Sequence, residues 1–270
     1  MDEQVAKEYE EYKKQGRIFD DSIKDRIKKI KFPRPDKSVM EQFLALEDLT
    51  DTVCTILDVM GFAGAVPAWY LSPIIPGRKI AGPAITMRYV PARKMVKQAI
   101  LDGDRPIISR AVTYLAEPGD VLVIDSGGNL NIGGPGHMSS SVGQSYGIVG
   151  TICNGAMRDI GGIRGIDYPV WCQGISPLAP IFRAELIEVN GPVSLLDVQV
   201  QPGDIMLADD TGVVVVPSDA IELVLEKVTA IVANEAKQRD LIKKNASADE
   251  HRKLYKAGRD FREKGGGILK

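Results

Sequence analysis

The sequence predicts an α/β domain built on a mixed sheet system, with charged helical segments at both ends. Three observations carry that expectation. Short apolar, β-like runs alternate with segments of helical period through the middle of the chain. Pro118-Gly119-Asp120 leads into an apolar run ending at Asp125, and Pro202-Gly203-Asp204 into one ending at Asp209, at the same spacing. Two copies do not make a repeat array, so they read as two similar corners of one sheet system. Residues 1–31 and 241–270, by contrast, are densely charged.

Taken in order, residues 1–31 are helix-prone with a break near Gly16. The basic cluster at 24–31 (KDRIKKIK) alternates with apolar positions and reads as a solvated helix face. KFPRPDK (31–37) reads as a linker. The expected organisation is therefore an extension and linker over 1–40, an α/β domain over 41–240 and a charged helical tail over 241–270. From Leu49 to Met60 the apolar positions follow helical spacing, and Gly61 suits the stop. AGPAITMRYV (81–90) reads as a strand, and Pro106 as the opening of a short helix running to Leu115.

EPGDVLVID (117–125) gives a turn and a strand, followed by a glycine-rich loop over 126–141. GIVGTICNG (147–155) reads as a buried strand, AMRDIGGIRGI as a short helix and YPVWCQGISP as another strand. Asn190-Gly191 is a hairpin signal. Residues 200–217 give a strand, an acidic turn at 209–212 and a second strand. Ser218 is the expected N-cap of a long helix burying Ile221, Val224, Leu225, Val228 and Ile231.

At 270 residues the chain can bury a full core without covalent staples. A net charge of −2 creates no global field toward nucleic acid or an anionic membrane. Cys54, Cys153 and Cys172 have no metal-site spacing and read as buried free thiols. The start of the chain is acidic and polar, unlike a signal peptide, and no apolar run approaches membrane-spanning length, so a cytoplasmic protein is expected.

Residue types narrow the chemistry. His137 and His251 are the only histidines, which leaves a His-rich zinc or copper site without ligands. Any bound metal would take oxygen ligands, which points to Mg²⁺ or Mn²⁺. No lysine occurs between Lys97 and Lys227, so a Schiff base in the motif-bearing stretch is unsupported. No nucleotide P-loop is present. What remains is glycine-rich backbone that can face an anion, Arg158 with its planar fork for a carboxylate, and Asp159 beside it for a hard cation. That set suits a substrate that is both carboxylate and chelator, such as a 2-oxo acid. On residue types alone Arg158-Asp159 is more often a surface or capping pair, His137 a structural or solvent-facing histidine, and 209–212 an ordinary hairpin turn.

Residues 147–177 (GIVGTICNGAMRDIGGIRGIDYPVWCQGISP) resemble the class II 4-hydroxy-4-methyl-2-oxoglutarate aldolases, a family that also contains regulators of ribonuclease E activity. Asn154, Gly155, Arg158, Asp159, Tyr168, Pro169, Val170, Gly174, Ser176 and Pro177 fall on its pattern, and GPAITM, PGDVLVID and PGDIMLADDTGVVVVP look like its other blocks. The resemblance covers roughly 45 to 240. It implies a compact swivelling-type α/β domain of packed sheets and helices, assembled as a trimer or dimer of trimers with sites between subunits. It also implies that Arg158 grips the pyruvyl carboxylate, that Asp159 ligates Mg²⁺ or Mn²⁺, and that Gly136, His137, Met138 and Ser139 supply backbone amides to the substrate. Glu235 stands near the place of a glutamate that reaches metal-bound water from a neighbouring chain.

The aldolases usually carry Glu or Asp where His137 stands. The expected function is thus a metal-dependent carbon–carbon lyase acting through a pyruvate enolate, by retro-aldol cleavage or oxaloacetate decarboxylation. Arg158 and His137 are its candidate catalytic residues. A non-catalytic oligomeric regulator is the alternative. A phosphohistidine carrier at His137 is a remote third, since GGPGHMSSSV only faintly matches such a loop.

Overall fold

The computed structural model describes residues 2–105 and 109–254. The helix start expected at Pro106 and the tail from 255 onward lie outside the described residues. The chain opens with α1 (Glu3–Lys14), whose first turn is capped by Asp2 accepting from the Gln4 amide at 2.8 Å. Val5, Tyr9 and Tyr12 recur at helical spacing and are buried, so this charged helix has one inward face. Gly16, at φ 72°, ends it.

The helix face expected at 24–31 is not helical. A short 3₁₀ turn (Asp21–Arg26) gives way to extended chain, and Ile27 bridges Val189 in parallel. Ile23, Ile27 and Ile30 are all buried. Their three- and four-residue spacing imitates a helical period, but a 3₁₀ turn running into an extended segment brings the same residues inward. Tyr12 donates to Glu117 at 2.9 Å, Arg17 pairs with Glu117 at 2.7 Å, and Arg34 grips Asp120 through two bonds of 2.8 and 2.9 Å. Residues 3–34 thus form a strap fastened to the body.

Helix α2 (Lys37–Leu44) and α3 (Leu49–Met60) follow, and Gly61 stops α3 at φ 81° as its position suggests. Next come β1 (Ala65–Pro67), β2 (Ser72–Pro73), β3 (Ile80–Pro91), the short helices α4 (Val96–Leu101) and α5 (Arg110–Thr113), and β4 (Val121–Gly133). Then α6 (His137–Ser145), β5 (Gly150–Met157), α7 (Ile160–Gly165) and β6 (Val170–Ile175) alternate. Last are β7 (Ala184–Val189), β8 (Val193–Leu195), β9 (Val198–Val200), β10 (Ile205–Ala208), β11 (Gly212–Val216) and α8 (Ile221–Lys243).

The main sheet runs β1-β11-β10-β3-β4-β5-β6-β2, with β7 also on β3. Its centre, β3 to β6, is parallel and its flanks are antiparallel. This is the mixed α/β architecture the sequence predicts. Period-two alternation sorts the core: Leu122 and Ile124 face the strap side, while Val121 and Val123 face the β8–β9 hairpin. A third cluster joins α2, α3 and α8 to β10 and β11.

Three local expectations need correction. The glycine-rich stretch is not a loop: β4 continues through it to Gly133 with register shifts near Asn129, and α6 starts at His137. Asn190-Gly191 does not close a hairpin between β7 and β8, because β7 joins β3 and β8 pairs with β9. Asn190 does take the left-handed turn conformation (φ 50°), but its side chain ties the Thr86 amide to the Lys29 carbonyl. Ser218 does not cap α8. Ala220 occupies that position without a side-chain bond, and the Ser218 amide instead donates to Asp204 at 3.0 Å. Among the described residues no helix is long and apolar enough to cross a membrane.

Candidate active site

Strand β5 carries the chain straight to Arg158 and Asp159 at the carboxyl end of the parallel strands, where ligands of open α/β sheets gather. Asp159 is the residue before α7 and holds φ 56°, a left-handed conformation that costs a non-glycine residue about 1 kcal/mol or more. Its carboxylate makes no capping bond. It lies 3.3 Å from the Arg158 guanidinium instead. The capping reading of the pair therefore fails, while its backbone still serves α7 by accepting from the Ile163 amide at 3.1 Å.

The end of the glycine-rich stretch is laid against this pair. The Gly134 amide donates to Ala156 at 2.7 Å and the Gly133 amide to Leu178 at 2.8 Å. A Cβ on Gly136 would sit 2.0 Å from Asp159 Oδ2 and 3.1 Å from Arg158 Cζ, so a side chain there would displace the Asp159 carboxylate that glycine leaves in place. One residue on, the His137 ring covers Gly162 of α7, where an added Cβ would fall 2.5 Å from the ring's Cγ. Gly136, His137, Arg158 and Asp159 therefore stand together. Met138 and Ser139 complete the first turn of α6, Met138 being exposed and Ser139 half-buried. The α6 ladder begins with the Ser140 amide on the Gly136 carbonyl, so the amides of His137, Met138 and Ser139 precede it.

Arg158 Nε is buried without a hydrogen-bond partner. A guanidinium whose inner N–H is idle while its outer nitrogen touches a neighbouring carboxylate is ready for an oxygen-bearing guest. Among the described residues no group of three or more His, Cys, Asp or Glu side chains converges as a ready-made metal cage. One exposed carboxylate in a glycine cradle does fit Mg²⁺ or Mn²⁺, which keep several waters and take remaining ligands from substrate. Zinc or copper would find no nitrogen or sulfur set here. Glu235 is not beside Arg158 within the chain: it lies on α8, paired to Arg239 at 3.4 Å, in the α3–α8 layer.

Sequence reasoning missed a buried polar row on the same strand ends. Asp125 accepts from the Gly127 amide at 2.9 Å and the Ser194 amide at 3.1 Å, and lies 3.3 Å from Arg88 Nε. Asn154 donates to the Ser194 carbonyl at 3.0 Å and leaves its Oδ1 without a partner. The row anchors the start of the stretch that ends at Gly136. Its signal was the echo itself, because Asp209 at the matching position binds the Thr50 amide and hydroxyl at 3.0 and 2.7 Å. The acidic turn at 209–212 is the structural hairpin it resembled. Cys153 and Cys172 are free and buried, and burial raises both thiols, Cys172 to about 11.

Residues 50–215 match the family model RraA-like, described as Aldolase/RraA, and the chain belongs to that family. It is 31% identical over 199 residues to Protein DlpA of Legionella pneumophila, covering 74% of this chain but only 31% of DlpA. It is 29% identical over 178 residues to a Halalkalibacterium halodurans protein named "Putative 4-hydroxy-4-methyl-2-oxoglutarate aldolase", covering 66% of this chain and 79% of that one. RraAS2 of Streptomyces coelicolor, described as an unusual member of the RNase ES inhibitor RraA protein family, superposes with a TM-score of 0.67. It is 26% identical, across 78% of this chain and 100% of its own. An uncharacterized protein of Pseudomonas syringae shares the fold at a TM-score of 0.68 and 24% identity, over 82% of this chain and 100% of its own.

Proposed function

We propose that this protein is a divalent-metal-dependent lyase that cleaves a carbon–carbon bond of a small 2-oxo acid and releases pyruvate through its enolate. The observation that carries the reading is the Gly136 backbone seated directly on the Arg158–Asp159 pair. The family and the aldolase name borne by one relative support it.

Arg158 binds the substrate carboxylate through two N–H groups and offsets the negative charge that grows as the bond breaks. The amides of His137, Met138 and Ser139 offer directed dipoles to an oxyanion at the head of α6. Asp159 would hold the metal, and Mg²⁺ or Mn²⁺ bound there supplies Lewis-acid polarisation of the 2-oxo group. His137, its ring lying over Gly162, accepts the proton of a 4-hydroxyl in a retro-aldol cleavage. Decarboxylation of oxaloacetate needs no such base.

Assembly as a homotrimer or a dimer of trimers is part of the proposal, with Glu235 of a neighbouring copy as the further carboxylate that would complete the site. The test is pyruvate release from a panel of 4-hydroxy-2-oxo acids and oxaloacetate, with Mg²⁺, with Mn²⁺ and after exhaustive chelation. Release that vanishes on chelation and returns with either ion is the expected result. Full activity in the chelated protein would sink the mechanism. No release from any substrate would favour a regulator, the role that the name of RraAS2's family suggests.

A further inference from the structure

Away from the candidate active site, a cleft of about 410 Å³ opens between the 3₁₀ turn, the chain after β3, the end of α4 and β7. It lies within the size range of small-molecule sites. Its rim is basic. Arg26, Arg93, Lys94 and Arg105 come to it from three stretches of sequence, against two carboxylates, Asp104 and Glu185. In a chain of net charge −2, this gathering is a local inversion of sign.

The internal pairings leave much of that charge uncommitted. Lys94 is held by Asp102 and Asp104 at 2.9 and 2.8 Å. Arg26 donates to a neutral acceptor, the Ser22 carbonyl, at 2.6 Å. Arg93 and Arg105 make no ion pair or hydrogen bond among the described residues. Holding guanidinium groups around one concavity costs repulsion that a bound anion would remove, and a guanidinium fork suits carboxylate or phosphate oxygens.

The floor is apolar. Leu186 and Ala99 are nearly fully buried beneath it, and Phe182 lines it from a left-handed backbone conformation (φ 58°). For a bulky residue that conformation is an outlier of the kind found at ligand clamps. A cationic rim over an apolar floor fits a guest with an organic body and more than one anionic group. Glu185 can accept from a hydroxyl or amine on that body.

We propose that this cleft binds a small organic polyanion, a polycarboxylate or a phosphorylated metabolite of up to nucleotide size. The experiment is calorimetric titration of the full chain, freed of metal by dialysis, with citrate and separately with ADP, at fixed ionic strength. Saturable binding of either probe is expected at one per chain. It should persist in Arg158→Ala, which removes any carboxylate held at that residue, and weaken at least about tenfold when Arg93→Ala/Arg105→Ala is added to that variant. Citrate alone binding assigns the cleft to carboxylates, ADP alone to phosphates, and both to polyanions at large. These arginines are exposed, so the double variant should fold, and circular dichroism checks this. Absence of saturable binding of both probes overturns the proposal. So does undiminished binding when the double substitution is added to Arg158→Ala, or loss in Arg158→Ala alone.

Discussion

Gly136 and Asp159 constrain each other at the scale of single atoms. The carboxylate occupies the space a side chain at 136 would need, so Gly136→Ala must push Asp159 off the position from which it would hold a cation. Position 136 precedes α6 at φ −100°, which alanine adopts without strain, so the fold should tolerate the change. Metal-dependent pyruvate release should fall at least about tenfold while the urea midpoint barely moves, because misplacement of a site by about 1 Å suffices for such losses. Activity equal to wild type would show that the cradle has slack. Arg158→Lys exchanges a fork for a point charge. It should raise KM and lower kcat, for a combined loss of about tenfold or more, or about 1.4 kcal/mol. His137→Ala separates two reactions. Retro-aldol cleavage should fall by about 10², the scale of acid–base assistance, and oxaloacetate decarboxylation much less. Equal survival of both would make the imidazole a bystander.

Among the elements, the strap over residues 3–34 behaves least like the free appendage its composition suggests. Burial pushes the Glu117 carboxyl up, but bonds from Arg17 and Tyr12 outweigh it and hold it below the usual glutamate range. That lowered value gives stability which is complete above the ordinary glutamate pKa and lost as pH falls through the folded value. Asp120 has the opposite slope, since burial raises its carboxyl in spite of Arg34. Glu117→Gln removes only the first contribution. The urea midpoints of wild type and E117Q should therefore differ near pH 7 and converge as the pH falls through the lowered folded value of Glu117, below which both side chains are neutral. A constant gap across that range would mean that the loss is packing and not charge. Helix α3 was legible from its helical period and Gly61 at its end, and the parallel strands from short, almost wholly buried apolar runs. Illegible were the places where tertiary pairing decides: the isoleucines of 23–30, the course of β4 past Asp125, and Asn190 as a tie instead of a hairpin. Residues of the candidate site were legible by type and motif; of the Asp125 row only Asp125 was marked, by the echo, since its partners at 88, 154 and 194 meet only in the fold.

For the molecule as a whole, no group of three or more metal-ligating side chains converges among the described residues, and Glu235 lies in another layer, paired with Arg239. If copies assemble around a rotation axis, each interface can join Asp159 of one chain to Glu235 of the next, and every site in the ring is then built twice over. That arrangement has a consequence no isolated chain can imitate. Arg158→Ala and Glu235→Ala should each be inactive alone, one for want of the carboxylate grip, the other for want of the neighbour's glutamate. When the two variants are unfolded together, mixed in equal amounts and refolded, random assembly leaves about a quarter of the interfaces with both residues intact. Roughly a quarter of wild-type pyruvate release should then return, while each variant refolded alone stays silent. Light scattering on the same mixture reports whether the refolded species is a trimer or a hexamer. Recovery fails if both residues serve one chain's own site, whereas if Glu235 only pairs with Arg239 the Glu235→Ala variant is active by itself and the mixture shows only its share of that activity. An active Glu235→Ala variant would separate these outcomes, because it would remove Glu235 from the site altogether.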